Sequence, residues 1–263
     1  MIANFFRTLT EHGVESLLIS GQASVLYGAA TFSEDVDLWI NPTTANCERF
    51  LSAMRACSAQ FYKLTPPVTV AHLRRGHGFH FLLPAADEPE IFLDMLGAPP
   101  RVGEFADAVS VAQWMDTSWG RLHVIGLKQL VELKKTQRLE DYPIISKLAL
   151  AWLDQPAHRR NDDELSWAMD NIFTAPELRP LFELCPAAAD LPGVEPSSGL
   201  RDFGQQLLAT GEVSEKIIGH VTGWMQQRIA AYQQADRAYW RPIIADLRSL
   251  RQAGQLMNEG DPV

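Results

Sequence analysis

The apolar pattern changes period near Gly126, and that change restricts the fold more than any other feature of the chain. Before it, short strand-like runs alternate with short helical ones. Val14 to Ile19 is apolar enough for a buried strand. Residues 35–40 read Asp, Val, Asp, Leu, Trp, Ile and are stopped by Asn41-Pro42. Residues 78–83 and 90–96 predict two strands around the turn-like segment 84–89, a hairpin whose symmetric register sets His80 close to opposite Asp94. Residues 121–125 predict one more strand. Helical patterns cover 4–12, 22–27 (closed by Gly28) and about 44–59, the last with Thr43 or Thr44 as its cap. After Gly126 helical patterns dominate. The expected fold class is therefore α/β (α+β): a small mixed β-sheet core with flanking helices over 1–125, then a helical region over 126–263.

Within that second region, the prolines at 176, 180, 186, 192 and 196 predict a loop or several short turns over 176–199. Residues 212–237 and 241–255 read as two helices. Ile217, Ile218, Val221, Trp224, Met225 and Ile229 form a helical stripe suited to core packing.

Composition sets the outer bounds. The chain has 263 residues, of which 46% are hydrophobic and 21% charged, enough to bury a full core without a disulfide or metal staple. Its 23 basic and 32 acidic residues give a net charge of −9, which argues against non-specific coating of nucleic acid and leaves room for a local basic patch. The cysteines Cys47, Cys57 and Cys185 are odd in number and lack metal-ligand spacing, so a reduced, cytoplasmic setting is expected. Charges at Arg7, Glu11 and Glu15 do not fit a signal peptide, and no apolar run approaches the roughly 18 residues of a membrane span.

The chemistry is concentrated in Ser20-Gly21-Gln22-Ala23 and in Ser33-Glu34-Asp35-Val36-Asp37. On a strand, side chains two apart share a face, which puts the Asp35 and Asp37 carboxylates together. Such a pair is unfavourable without a cation. Mg²⁺ takes oxygen ligands and bridges substrate phosphates, so the pair is a sensible clamp for phosphoryl chemistry. Asp94, charged within the otherwise apolar Ile91-Phe92-Leu93-Asp94-Met95-Leu96, is the candidate third carboxylate. The small residues Ser20 and Gly21, between a strand and a helix, allow backbone amides to approach a phosphate.

This order of small-residue turn, Ala, Tyr27-Gly28 and Ser-x-Asp-x-Asp resembles the nucleotidyltransferase superfamily related to DNA polymerase beta. Within it, the chain is most similar to the abortive-infection toxin-like and minimal nucleotidyltransferases, over about residues 14–150. The resemblance implies a catalytic domain over 1–125 that moves an NMP from an NTP such as ATP to an acceptor hydroxyl. It implies that Asp35, Asp37 and Asp94 are catalytic and bind two Mg²⁺ ions, and that Ser20 and Gly21 hold the triphosphate. The implied acceptor is an RNA end such as tRNA or a protein side chain, with a small aminoglycoside-type molecule as the alternative. A protein partner from a toxin–antitoxin pair is implied as well, and a catalytically silent relative serving as the antitoxin or binding half is the other reading.

The block from Leu127 to Asp141 resembles the helix that follows the catalytic sheet in these families. As one helix, its Lys134, Arg138 and Asp141 share a face. The resemblance implies that Lys134 and Arg138 bind the nucleotide, with Lys135 a competing choice for Lys134. The chain departs from the family pattern at Ser20, where a glycine is usual, and at Thr31, where related sequences often carry Arg.

The segment from His72 to His80 holds three His and two Arg without an acid and predicts a basic loop near the site. No Walker loop or Gly-x-Ser-x-Gly elbow is present. The scattered tryptophans read as packing residues, and the C-terminal third carries no further motif.

Overall fold

The structure, a computed structural model, describes residues 2–84, 89–191 and 194–263. The centre of the expected turn at 84–89 and Pro192 of the proline-rich segment lie outside the described residues. The chain has the mixed α/β fold read from its sequence, a seven-stranded mixed sheet with a helical C-terminal region.

The elements run α1 (Ile2–Glu11), β1 (Ser16–Ile19), α2 (Ser20–Leu26), β2 (Val36–Ile40), α3 (Thr44–Ala56), β3 (Gln60–Phe61), α4 (Val70–Arg74), β4 (Gly78–Leu83), β5 (Ile91–Leu96), α5 (Phe105–Val111), β6 (Gln113–Thr117), β7 (Gly120–Val124) and α6 (Leu127–Leu133). Then come α7 (Asp141–Trp152), α8 (Asp162–Asp170), α9 (Ala175–Leu184), α10 (Leu200–Thr210) and α11 (Glu215–Gln252). The strand order is β3-β4-β5-β2-β1-β7-β6. The β4–β5 pairing is antiparallel and β2–β5 is parallel.

Two compact units emerge. One comprises Met1–Leu26, Thr31–Leu133 and Ala238–Val263; the other comprises Tyr27–Ala30 and Lys134–Arg237. This differs from a division at residue 125, because the last 26 residues belong with the sheet. They return through main-chain hydrogen bonds: Met257 N–H donates to Thr65 O, Gly260 N–H to Phe61 O and Val263 N–H to Ala59 O, each within 3.1 Å. Backbone pairing of this kind leaves no hydropathy signature in the sequence.

In the first unit, alternation along β4 and β5 buries Phe79, Phe81, Leu93 and Met95 on one face. Phe50 and Met54 of α3 are fully buried, and the Phe50 ring meets Phe81 edge-on at 5.6 Å. The opposite face of these strands carries His80 and Asp94 and stays half-buried. The second unit has its own core around Leu165, Leu178, Leu181, Phe182 and Phe203, to which Val221 and Met225 contribute from the expected stripe.

Three helical expectations are corrected. First, α9 occupies the start of the proline-rich segment. Pro176 lies in its first turn, where no intrahelical N–H is required, and Pro180 removes only one interior bond. Second, α11 runs unbroken through Pro242 where two helices are expected. Tyr239 and Asp246 on either side are anchored by hydrogen bonds to Ala98 and His77, which hold the helix across the lost bond. Third, the helix expected through Asp141 stops at Leu133, and α7 starts at Asp141. Lys134 and Arg138 therefore lie in a connection rather than on a helical face.

Candidate active site

The central strands of the sheet line up the acidic residues. Asp37 of β2 is the register partner of Asp94 on β5, and Asp94 is the partner of His80 on β4. Register partners in adjacent strands share a face, so His80, Asp94 and Asp37 form a row across three strands. His80 Nδ1–H donates to Asp94 Oδ1 at 2.7 Å, the contact expected from the hairpin register. Both side chains keep partial solvent access, 27% for His80 and 33% for Asp94.

Asp35 immediately precedes β2 rather than lying within it, and it joins the row electrostatically. Burial first, and then the Asp94 charge, push its carboxyl above the usual range, while Lys63 opposes the shift. Sequence reasoning gave Lys63 no role, yet its charge reaches Asp35. Lys63 sits in a left-handed conformation at φ 54° and lies 4.8 Å from the Tyr62 ring centroid. Nothing in its sequence neighbourhood marks it.

The turn after β1 is built around the same loop. Ile19 is the register partner of Asp37, so Ser20 and Gly21 follow directly from the strand beside the acidic row. Ser20 adopts φ 58°, a left-handed conformation that favours glycine. Its carbonyl accepts the Ser24 hydroxyl at 2.8 Å. A Cβ at Gly21 would overlap the Ser33 hydroxyl, so the absent side chain makes room for Ser33. Gln22 Nε2 donates to Ser33 O at 2.7 Å, and the Ser33 hydroxyl donates to Asp35 O at 3.3 Å. Turn and acidic loop are thereby one hydrogen-bonded assembly.

Asp37, Asp94 and His80 open into a cleft of about 290 Å³. Its other lining residues include His77, Leu64 and, from the far end of the chain, Trp240, Ile243, Ile244 and Leu247. The expected basic loop is instead α4 followed by a tight turn at Gly76. His77 there is 1% exposed, and its Nε2 lies 2.9 Å from Asp246 Oδ2.

Asp35, Asp37 and Asp94 suit a hard divalent cation in donor chemistry: they are anionic oxygens, and the Asp94 charge already disfavours ionisation of Asp35. Among the described residues no three His, Cys, Asp or Glu side chains are closed around one point as a metal centre. The fit therefore rests on donor type and crowding.

Lys134 and Arg138 belong to the second unit and converge there on Asp141. Lys134 Nζ lies 2.9 Å from Asp141 Oδ1, and Arg138 Nε lies 3.1 Å from Oδ2, which also accepts the Thr136 hydroxyl at 2.6 Å. The Lys134 side chain is only 5% exposed, whereas that of Arg138 is 58% exposed. Lys135 is also buried, with its ammonium 4.8 Å from the Tyr232 ring centroid. No helix among the described residues is long and apolar enough to cross a membrane. No protein-family model matches the chain, and no curated protein matches it at a significant level.

Proposed function

We propose that the chain is a nucleotidyltransferase that moves an NMP from an NTP to an acceptor hydroxyl. The observation that carries this reading is the row of Asp37, Asp94 and His80 at an open cleft, with Asp35 electrostatically coupled to Asp94. Carboxylates gathered on a half-buried face cost stability and are retained where chemistry uses them.

Asp35, Asp37 and Asp94 would hold Mg²⁺, which supplies charge neutralisation for the triphosphate. The remaining roles fall to the chain itself. The acceptor oxygen forms its bond to the α-phosphorus, and the bond from that phosphorus to the bridging oxygen of the β-phosphate breaks. Pyrophosphate leaves with the bonding electrons, and the hydroxyl proton passes to Asp94. His80 holds that carboxylate in place through Oδ1. Ser20 and Gly21 are proposed to meet the phosphates.

The test is transfer of label from α-³²P NTPs with Mg²⁺ to total RNA, protein extract or small hydroxylated acceptors. Label that disappears in Asp35→Ala/Asp37→Ala protein supports the reading; label that persists in it rules the reading out. A silent binding partner is the second reading, favoured by Ser33, which occupies the space beside Gly21. Turnover decides between them, since a silent relative shows none.

A further inference from the structure

The cleft over the acidic row has two chemically different walls. One is the sheet face that carries Asp37, Asp94 and His80, with Leu96 beside them. The other is apolar: Trp240, Ile243, Ile244 and Leu247, spaced i, i+3, i+4 and i+7 on α11, with Leu64 beside them. Such a stripe normally closes onto a core. Here Ile244 remains 43% exposed, and Trp240, Ile243 and Leu247 are half-buried.

Polar anchors hold this stripe over the sheet. Tyr239 O–H donates to Ala98 O at 2.9 Å, and Asp246 takes His77 Nε2 at 2.9 Å and Arg75 Nη1 at 3.3 Å. Beyond the helix, the tail is bonded to Thr65 and Phe61. The apolar face is thus fixed opposite the carboxylates while its own side chains remain incompletely covered.

We infer that this wall is the acceptor subsite, and that the acceptor is a compact hydroxylated ring compound with one apolar face, lying against Trp240 with its hydroxyl toward Asp94. The inference rests on the transferase reading. Size and charge select the class. A cleft of about 290 Å³ lies at the small end of ligand pockets, roughly 300–1,000 Å³, and admits one or two rings. An indole face rewards a flat apolar surface, while the opposite wall rewards hydroxyls. Nucleic acid fits poorly, because its phosphates require several cations, whereas no Lys or Arg occurs among the described lining residues and Lys63 is a single cation nearby, felt through its charge on Asp35.

The experiment measures binding to the full chain without NTP, by ligand-observed NMR, using phenyl β-D-glucopyranoside and an octaribonucleotide as probes. The glycoside is expected to bind the wild type. Trp240→Ala should weaken it at least about tenfold, and Trp240→Phe should retain it within about threefold. If circular dichroism shows Trp240→Ala unfolded, Ile244→Glu at its exposed position takes its place with the same expected loss. Equal binding by wild type and variant, no glycoside binding, or displacement of the glycoside by the octaribonucleotide each overturns the subsite. Offering the same glycoside with labelled NTP separates the two claims. Label on RNA without Trp240-dependent glycoside binding overturns the subsite and leaves the transferase. Trp240-dependent binding with no Asp35/Asp37-dependent transfer to any acceptor overturns both the acceptor role and the transferase.

Discussion

His80 and Asp94 face each other across the β4–β5 ladder, with Nδ1 2.7 Å from Oδ1, and Asp94 in turn faces Asp37 across β5–β2. The imidazole therefore fixes one oxygen of the central carboxylate and leaves the other for chemistry. Removing a hydrogen-bond partner that orients a reacting carboxylate typically costs about 10–100-fold in activity or affinity. His80→Ala is expected to lower transfer by that amount with little change in melting temperature, because His80 is partly exposed. His80→Asn, whose amide N–H occupies the position of Nδ1–H, should recover most of the loss. Steady-state kinetics and a thermal melt on the same samples check both statements.

Asp35 should cost the fold stability. Burial and the Asp94 charge raise its carboxyl above the usual range, so ionisation is less favourable in the folded chain than in the unfolded one. For an acid shifted upward, the penalty is absent below the unfolded value of about 4 and fully present above the folded value. At pH 7 Asp35→Asn should therefore melt higher than wild type, by a small margin because Asp35 keeps partial solvent access. The difference should shrink to nothing as pH falls through the raised value toward about 4. A pH series of thermal melts tests the sign, and a destabilised Asp35→Asn at pH 7 contradicts it.

Gly21 and Ser33 should be energetically coupled. A Cβ at position 21 overlaps the Ser33 hydroxyl, and Ser33 leads to Asp35 through its hydrogen bond. Gly21→Ala is expected to destabilise by about 1–3 kcal/mol, the usual cost of overpacking, and to reduce transfer by displacing Asp35. Ser33→Gly opens the space. The double variant should regain at least about 1 kcal/mol relative to the sum of the single changes, measured as a double-mutant cycle in denaturant.

The acidic row was legible because its strands carry strong local signals. Phe79, Phe81, Leu93 and Met95 alternate with polar or half-buried neighbours, and the hairpin symmetry placed His80 against Asp94. The edge strand β6 was not legible. Gln113, Trp114 and Asp116 are exposed, so it shows no apolar face. Trp240, Ile243, Ile244 and Leu247 read as an ordinary helical stripe, and nothing local says which sheet that stripe covers. Lys134, Arg138 and Asp141 do converge, for a different reason than helical spacing: a break in the helix wraps the chain around one buried carboxylate.

That convergence gives Lys134 a structural task. Lys134 and Asp141 are 4% and 3% exposed, and Asp141 takes Lys134, Thr136 and Arg138 together. Breaking a buried pair by removing one partner leaves an uncompensated charge and costs roughly 3–5 kcal/mol. Lys134→Met is expected to lose about 3 kcal/mol, since Arg138 and Thr136 still serve the carboxylate, and Asp141→Leu to lose more, because it strands the ammonium. Lys134→Met/Asp141→Leu should recover part of the loss by removing both charges. Arg138→Ala, at an accessible side chain, should leave stability within about 0.5 kcal/mol of wild type. Urea denaturation measures each value. If Lys134→Met folds with wild-type stability and instead raises the KM for NTP, the ammonium serves the nucleotide rather than the fold.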